Sequence, residues 1–328
     1  MNSIKLIGIK LCNYCNLNCE MCAQKKSKVE HQNIDVKNLI SFIEQFPINK
    51  FEAYLWGGEP FLHKNVFEII DFFEKKGCPV TINTNGTLLY KYSDKICNHK
   101  IYRIIVSIDG TRDIHNQIRG RKVYDNIILG IKKIIQTRKH LPFITANIVV
   151  TQKNQYILLD TVENLFSIGI EFIEIQLPIF YTQTEGMNYE DWCFNEIGIH
   201  AISWKGFKVQ YDYIDTIKLS STIEKLVNKY GKKIHLVPNI NVTEIYEYFN
   251  SKIKPKKGSI CLACKNQIRI EADGSVVLCP DFPDIIIGNI NRESILDILK
   301  KEPYSTIRKN LSNNALHLLC NKCPFRYE

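Results

Sequence analysis

Residues 15–22 read CNLNCEMC, three thiols in the spacing C-x3-C-x2-C, with Cys12 three positions earlier. Three thiolates on one short loop can hold an iron–sulfur cluster, and a four-iron cubane asks for four ligands. Cys15, Cys19 and Cys22 would leave one iron open to a small molecule, which separates a reactive cluster from a saturated electron carrier. A second set stands at the other end: Cys261, Cys264 and Cys279, then Cys320 and Cys323. Its pattern is C-x9-G-x4-C followed by C-x2-C, and the EADGS stretch (271–275) reads as a hairpin turn bringing Cys264 and Cys279 together. Four thiols complete a ligand set, with Cys261 spare or a replacement for Cys264. Zinc is the alternative for both sets, since Cys12 and Cys15 form a C-x2-C and zinc ribbons resemble the second pattern.

These residues need a frame. Short apolar runs at 4–10, 51–56, 79–84, 102–108, 143–150 and 171–177 read as buried strands. Segments with helical periodicity lie between them at 36–46, 65–77, 125–136 and 158–169, and Gly77 and Gly169 stand where a C-terminal cap belongs. Six β-α units predict a parallel sheet with helices outside, either an open doubly wound sheet or a partial barrel, with ligands at the C-terminal strand ends. The residues past each strand suit that rule: the cysteine loop, GGEP (57–60), NTNGT (83–87), SIDG (107–110), VTQKN (150–154) and QLP (176–178). No P-loop and no GxGxxG follows a strand. From 181 to 257 the pattern loosens. TQTEGMNYEDWCFNEIG (182–198) reads as a loop or lid, 220–231 as a helix with a Ser cap, and the stretch around Pro255 as a linker.

Taken together, CNLNCEMC, GGEP, TNGTLL and SIDG at successive strand ends resemble the radical SAM superfamily. The resemblance implies that Cys15, Cys19 and Cys22 ligate a 4Fe-4S cluster whose fourth iron is chelated by S-adenosylmethionine. One electron then cleaves the sulfonium, and the 5′-deoxyadenosyl radical takes a substrate hydrogen. It implies that Gly57, Gly58, Glu59 and Pro60 bind the methionine amino group. Ser107 and Asp109 fall where the ribose or carboxylate is contacted, Arg119 is a candidate for the carboxylate, and Asn85 shares the rim. Met21 stands where an aromatic residue commonly packs on the adenine, and its thioether can pack on a ring. The second set, with IIIGNI (285–290) between its halves, resembles the twitch domain, the shortened SPASM form, with Cys264, Cys279, Cys320 and Cys323 around one auxiliary 4Fe-4S cluster and Cys261 in reserve. The implied fold is α/β: a partial (β/α)6 TIM-type barrel over 1–180, a connecting or lid region over 181–257, and a small α+β twitch domain with a β-hairpin over 258–328.

The implied activity is hydrogen abstraction from an unactivated C–H of a small-molecule or peptide substrate, for oxidation or epimerisation. A peptide- or protein-modifying maturase is the alternative, with no room for an N-terminal recognition domain before Cys15. A zinc-binding structural protein and an iron–sulfur electron carrier stand outside the class. Cys193 in YEDWCF is a candidate hydrogen donor or a packed thiol. Cys78 and Cys97 read as core, Cys12 as a small buried residue, and Tyr181, Tyr189 and Trp192 as pocket lining or packing.

The bulk numbers fit a soluble enzyme. The chain has 328 residues, 45% apolar and 23% charged, enough for one large and one small domain. No run is long enough for a membrane span and no signal peptide is evident, so the expectation is cytoplasmic. The net charge of +9 is scattered, which argues against a nucleic-acid footprint and suits an acidic reducing partner such as flavodoxin or ferredoxin.

Overall fold

A computed structural model describes residues 4–23, 30–46, 51–208, 213–253, 259–302, 304–312 and 318–323. The linker expected at 254–258, and with it the boundary at 257/258, lies outside the described residues.

Six strands follow one another with helices between: β1 (Leu6–Lys10), β2 (Glu52–Trp56), β3 (Val80–Thr84), β4 (Arg103–Ser107), β5 (Phe143–Val149) and β6 (Phe172–Gln176). The helices are α1 (Val36–Glu44), α2 (Val66–Lys75), α3 (Leu89–Asn98), α4 (Arg112–Arg119), α5 (Tyr124–Thr137) and α6 (Leu158–Ile168). Every neighbouring pair from β1 to β6 is parallel, the topology of a partial barrel. Asp35 starts α1 by accepting from the Asn38 amide, and Leu39, Phe42 and Ile43 form its buried stripe. Gly77 and Gly169 adopt φ of +72° and +104° after their helices, as a left-handed cap requires.

The segment after β6 is more ordered than its sequence suggests. The stretch read as a loop or lid is helix α7 (Gln183–Ile197), started by a capping box in which Thr182 and Glu185 satisfy each other's backbone amides. Helix α8 (Thr216–Tyr230) begins five residues earlier than a Ser cap at 220 would allow, because Asp215 accepts from the Lys218 amide. A seventh strand, β7 (Ile234–Val237), pairs parallel to β6. Its four residues are too short a run to stand out by periodicity. Helix α9 (Ile245–Phe249) follows.

Helix α10 (Leu262–Asn266) leads into β8 (Gln267–Ile270), which pairs parallel to β1. A hairpin then adds β9 (Ser275–Val277) and β10 (Ile286–Asn289), both antiparallel, turning at Gly274 with φ +84°. The sheet runs β10-β9-β8-β1-β2-β3-β4-β5-β6-β7. The hairpin therefore extends the barrel sheet at the β1 edge. Helices α11 (Ile295–Lys300) and α12 (Tyr304–Ser312) complete this part.

Strand alternation divides the residues by face. Ile7, Ile9, Leu55, Ile104, Ile148 and Ile173 point toward the helices with no exposed surface. Each such burial is worth roughly 1.5–3 kcal/mol. The alternate positions face the lumen and are largely polar, beginning with Glu52, Tyr54 and Trp56 on β2.

Candidate active site

The cysteine loop leaves β1 and is clasped by the turn after β2. Gly58 donates its amide to Cys12 O at 2.8 Å, and Glu59 donates to Tyr14 O at 3.0 Å. A Cβ at Gly58 would stand 1.9 Å from Tyr14 O, so only glycine permits this approach. Cys12 is fully buried and its thiol donates to Glu59 O at 3.3 Å. It is a packing residue of the clasp, as a small buried side chain should be.

Three sulfurs then lie along the loop, and two of them stand beside hydrogen-bond donors. The Leu17 amide and Asn85 Nδ2 each reach Cys15 Sγ at 3.4 Å. Arg119 Nη1 stands 3.6 Å from Cys19 Sγ, and the Cys22 amide donates to Cys19 O at 3.3 Å. Burial pushes the Cys15 thiol up to about 11. Burial raises Cys19 as well, and the Arg119 cation opposes the rise. A metal ligand must be a thiolate, and such donors stabilise sulfur in that form.

Several neighbours serve this loop from behind. Glu59 is fully buried, and its carboxylate accepts from the Phe61 amide at 3.1 Å, Thr84 Oγ1 at 2.7 Å and the Asn85 amide at 2.8 Å. Burial lifts it to about 7. It ties the β2 and β3 turns together and presents Asn85; it does not face open space for an ammonium. Pro60 begins a buried 3-10 turn, Pro60–Leu62. Asp109 is also fully buried, with Oδ2 on Arg119 Nε at 2.6 Å and Oδ1 on the Val149 amide at 3.1 Å. It holds the Arg119 side chain from behind. His115 accepts from the Asp109 amide at 3.2 Å.

Gly57, Gly58, Asn85, Ser107, Arg119 and Met21 all line one cavity with Cys15, Cys19 and Cys22. Its volume is about 800 Å3. It descends through the barrel past Glu52, Tyr54, Arg103 and Glu174, and on the hairpin side it reaches Arg269, Pro280 and Asp281. Sequence reasoning centred on strand ends missed these lumen residues. Their signal was alternation within the strands themselves: E-x-Y-x-W on β2, R-x-I-x-S on β4, E-x-Q on β6.

Cys193 is fully buried on α7 and is not part of the cavity lining. Tyr181 and Tyr189 are buried too. Both pack on Phe282, and the Tyr181 hydroxyl donates to Leu319 O at 3.0 Å. These aromatic residues are packing. Cys78 is buried and Cys97 half-buried, in line with core roles.

The second thiols come from separate segments: the start of α10, the residues after β9, and a 3-10 turn at Leu318–Lys322. Burial raises the Cys279 and Cys323 thiols, and the charges of Cys261 and Cys320 act on both. Cys264 is 3% exposed, with its thiol toward Leu278 O at 4.0 Å, while its amide donates to Cys261 Sγ at 3.4 Å. Beside the set, Lys322 is buried, donating to Phe180 O at 3.1 Å and Ser251 Oγ at 2.7 Å.

The model of the radical SAM superfamily matches residues 9–165, and that of an iron-sulfur cluster-binding domain, SPASM, matches residues 261–324. The chain belongs to the radical SAM superfamily. A probable GTP 3′,8-cyclase of Saccharolobus islandicus is 26% identical over 318 residues, covering 94% of this chain and 91% of that protein. The antilisterial bacteriocin subtilosin biosynthesis protein AlbA of Bacillus subtilis is 28% identical over 322 residues, covering 96% of this chain and 64% of AlbA. Among solved structures, Streptococcus suis SuiB bound to precursor peptide SuiA superposes with a TM-score of 0.69 at 17% identity, covering 98% of this chain and 71% of SuiB. That likeness shows a shared fold.

The radical SAM domain implies a 4Fe-4S cluster with S-adenosylmethionine, and the SPASM domain an auxiliary iron–sulfur cluster. Among the described residues, no three Cys, His, Asp or Glu side chains close around a single-ion site. The fit rests on the donor set. Three thiols on one cavity wall, with N–H donors to two of the sulfurs, suit a cluster. The glycine turn opens on the same wall.

Proposed function

We propose that this radical SAM enzyme oxidises a polar small-molecule or peptide substrate seated in the barrel lumen. When bound, the cluster and S-adenosylmethionine supply one-electron cleavage of the sulfonium and a hydrogen-abstracting radical. Cys15, Cys19 and Cys22 hold the first cluster. Gly57 and Gly58 present backbone to the methionine end, Arg119 meets its carboxylate, and Ser107 and Met21 line the remainder. Glu59 and Asp109 position Asn85 and Arg119. The observation that carries the reading is the single cavity joining Cys15, Cys19 and Cys22 to Pro280 and Asp281, beside Cys279. A substrate in that lumen lies between the two thiol sets, placed to lose hydrogen toward one and an electron toward the other. Oxidation is favoured over epimerisation because Cys193, the candidate hydrogen donor, lies off the cavity. The names of AlbA and of the SuiB–SuiA complex favour a peptide, and a flavodoxin or ferredoxin would supply the reducing electron.

We further propose that Cys261, Cys279, Cys320 and Cys323 hold the auxiliary cluster. Cys261 rather than Cys264 completes the set, because Cys264 turns its thiol to Leu278 O inside the fold. Anaerobic reconstitution, with iron, sulfide and 5′-deoxyadenosine measured after reduction, tests both statements. About eight irons with cleavage is expected for two cubanes. Iron lost entirely with Cys320 and Cys323 changed to Ala, and no cleavage in the parent, would remove the N-terminal cluster and the mechanism. Cys261→Ser should lower iron by about half while Cys264→Ser keeps it; the reverse result assigns Cys264.

A further inference from the structure

The lumen keeps its charges apart from its neutral hydrogen-bonding groups. Glu52 and Arg103 lie at the starts of β2 and β4 and face each other and Glu174: Arg103 stands 3.4 Å from Glu174 and 3.9 Å from Glu52. On the hairpin side Arg269 is engaged by Gln267 and by the Tyr54 ring. Toward the cysteine loop the later strand positions are uncharged: Trp56 on β2, Ser107 on β4, Asn147 on β5 and Gln176 on β6.

Two of these groups form a pair. Asn147 Nδ2 donates to Gln176 Oε1 at 2.9 Å. One carboxamide has spent a donor and the other an acceptor, so the pair still offers the carbonyl of Asn147 and the amino group of Gln176. Turning both amides over exchanges the two residues and leaves the same complement. The Asn147 carbonyl oxygen is buried with no hydrogen-bond partner among the described residues, and so is the indole Nε1 of Trp56. A buried acceptor or donor of that kind is costly until a ligand group meets it. The cavity wall therefore asks for a donor at one place and an acceptor at another. A group that only donates, or only accepts, meets half of that need. Asn147 is the register partner of Ser107, so this wall continues the one proposed above for S-adenosylmethionine. Nearby, Asn83 Nδ2 donates to the Tyr54 hydroxyl at 2.9 Å, and burial pushes that phenol up to about 12, which keeps it neutral.

We propose that the lumen binds the uncharged amide backbone of its substrate, with an amide N–H on the Asn147–Gln176 pair and a carbonyl toward the Trp56 indole. A peptide backbone carries one donor and one acceptor per residue, the complement that the wall leaves open, and it adds no charge to a low-dielectric space. Asn147 and Gln176 are then residues that set specificity, and the charged groups deeper in the lumen answer one another. This inference rests on the lumen being the substrate site.

Three neutral probes test it on the reconstituted holoenzyme with S-adenosylmethionine bound: Nα-acetyl-norleucine methylamide and the two esters in which one or the other amide N–H is replaced by oxygen. Ligand-detected NMR titration reads their affinities. At least one replacement should weaken binding about tenfold, a difference of about 1.4 kcal/mol. An ester is easier to desolvate than an amide, so a loss of affinity reads a hydrogen bond made by the N–H. Either carboxamide left alone keeps an acceptor, so both are removed together: Asn147→Leu with Gln176→Met should bring the three probes within about threefold of one another. Trp56→Phe should weaken all three alike, because each keeps its carbonyls, and it carries the test should the double variant misfold. Esters that bind as tightly as the amide, no saturable binding of the amide, full discrimination in the folded double variant, or unchanged affinities in Trp56→Phe would overturn the inference. Formation of 5′-deoxyadenosine by the same preparation separates the two levels. Its absence strikes the proposed function; its presence without amide preference strikes this inference alone.

Discussion

The two thiol sets are built in opposite ways. Cys15, Cys19 and Cys22 share one loop whose path is fixed by backbone contacts nearby, Gly58 to Cys12 O and Glu59 to Tyr14 O. The C-terminal set is assembled from α10, the end of β9 and the 318–322 turn, so its geometry depends on the whole hairpin unit. The first is a local device supported from behind by buried carboxylates, Glu59 and Asp109. The second is a tertiary device supported by a buried cation, Lys322, whose ammonium also stands 3.8 Å over the Phe180 ring. A cluster meant to bind a cosubstrate needs one open side and a rigid back. A cluster held between segments can instead join two parts of the fold.

Removing one ligand from each set gives the largest expected contrast. Cys19→Ala should lower retained iron by about half and take 5′-deoxyadenosine formation to background, because the open iron is lost. Cys323→Ala should lower iron by a similar amount and still permit cleavage in the absence of substrate. Iron assays and product quantification on the two variants check this. Cleavage surviving in Cys19→Ala, or vanishing only in Cys323→Ala, would exchange the roles of the sets.

The same contrast explains what was legible in the sequence. The first set could be read only from its spacing together with the polar turns at the neighbouring strand ends, and those strand ends from β-branched runs. GGEP was legible as a turn, but not the direction of its carboxylate: nothing local says that Glu59 turns inward to Thr84 and the Asn85 amide. Asp109 and Arg119 read as separate candidates for ligand contact, and nothing local says that Asp109 is buried and bonded to Arg119 and the Val149 amide. The lumen escaped because its residues are scattered over eight strands and meet only when the sheet curls. The sequence leaves Cys261 and Cys264 as alternatives, since both spacings satisfy a ligand pattern and only tertiary placement bears on the proposed choice. Helix α7 was hidden by its composition, with Gly186 and few aliphatic residues, and is explained by Trp204 packing where a Cβ at Gly186 would stand.

Support from behind can be broken next. Asp109→Asn leaves the Arg119 guanidinium buried without its anion, and breaking such a pair costs about 3–5 kcal/mol. Urea unfolding should show that loss, with weaker retention of the first cluster and normal retention of the second. Lys322→Met is the matching change at the other set. It removes donors from Phe180 O and Ser251 Oγ, at a cost of about 1–3 kcal/mol, and should loosen the auxiliary cluster alone. Equal loss of both clusters in either variant would mean that the supports act globally and that the comparison is wrong.

The smallest effect is a pH dependence confined to the N-terminal side. His115 is fully buried, faces the Asp109 amide and packs edge-on to Tyr124. Burial and the nearby Arg119 cation pull it down to about 3 from the ordinary 6.5. Between those values the unfolded chain binds a proton that the folded chain does not, so stability rises with pH. The contribution is complete above pH 6.5 and is lost as pH falls toward 3, with a slope of at most about 1.4 kcal/mol per pH unit. His115→Asn keeps an oxygen where Nδ1 accepts the Asp109 amide and removes the titration. Its urea midpoint, followed from pH 7.5 to 5, should fall less steeply than that of the parent chain, whatever its offset from lost volume. Parallel profiles would show that His115 takes up its proton inside the folded protein, which would require the pocket beneath Arg119 to admit water and would end the description of that side as a rigid, dry back.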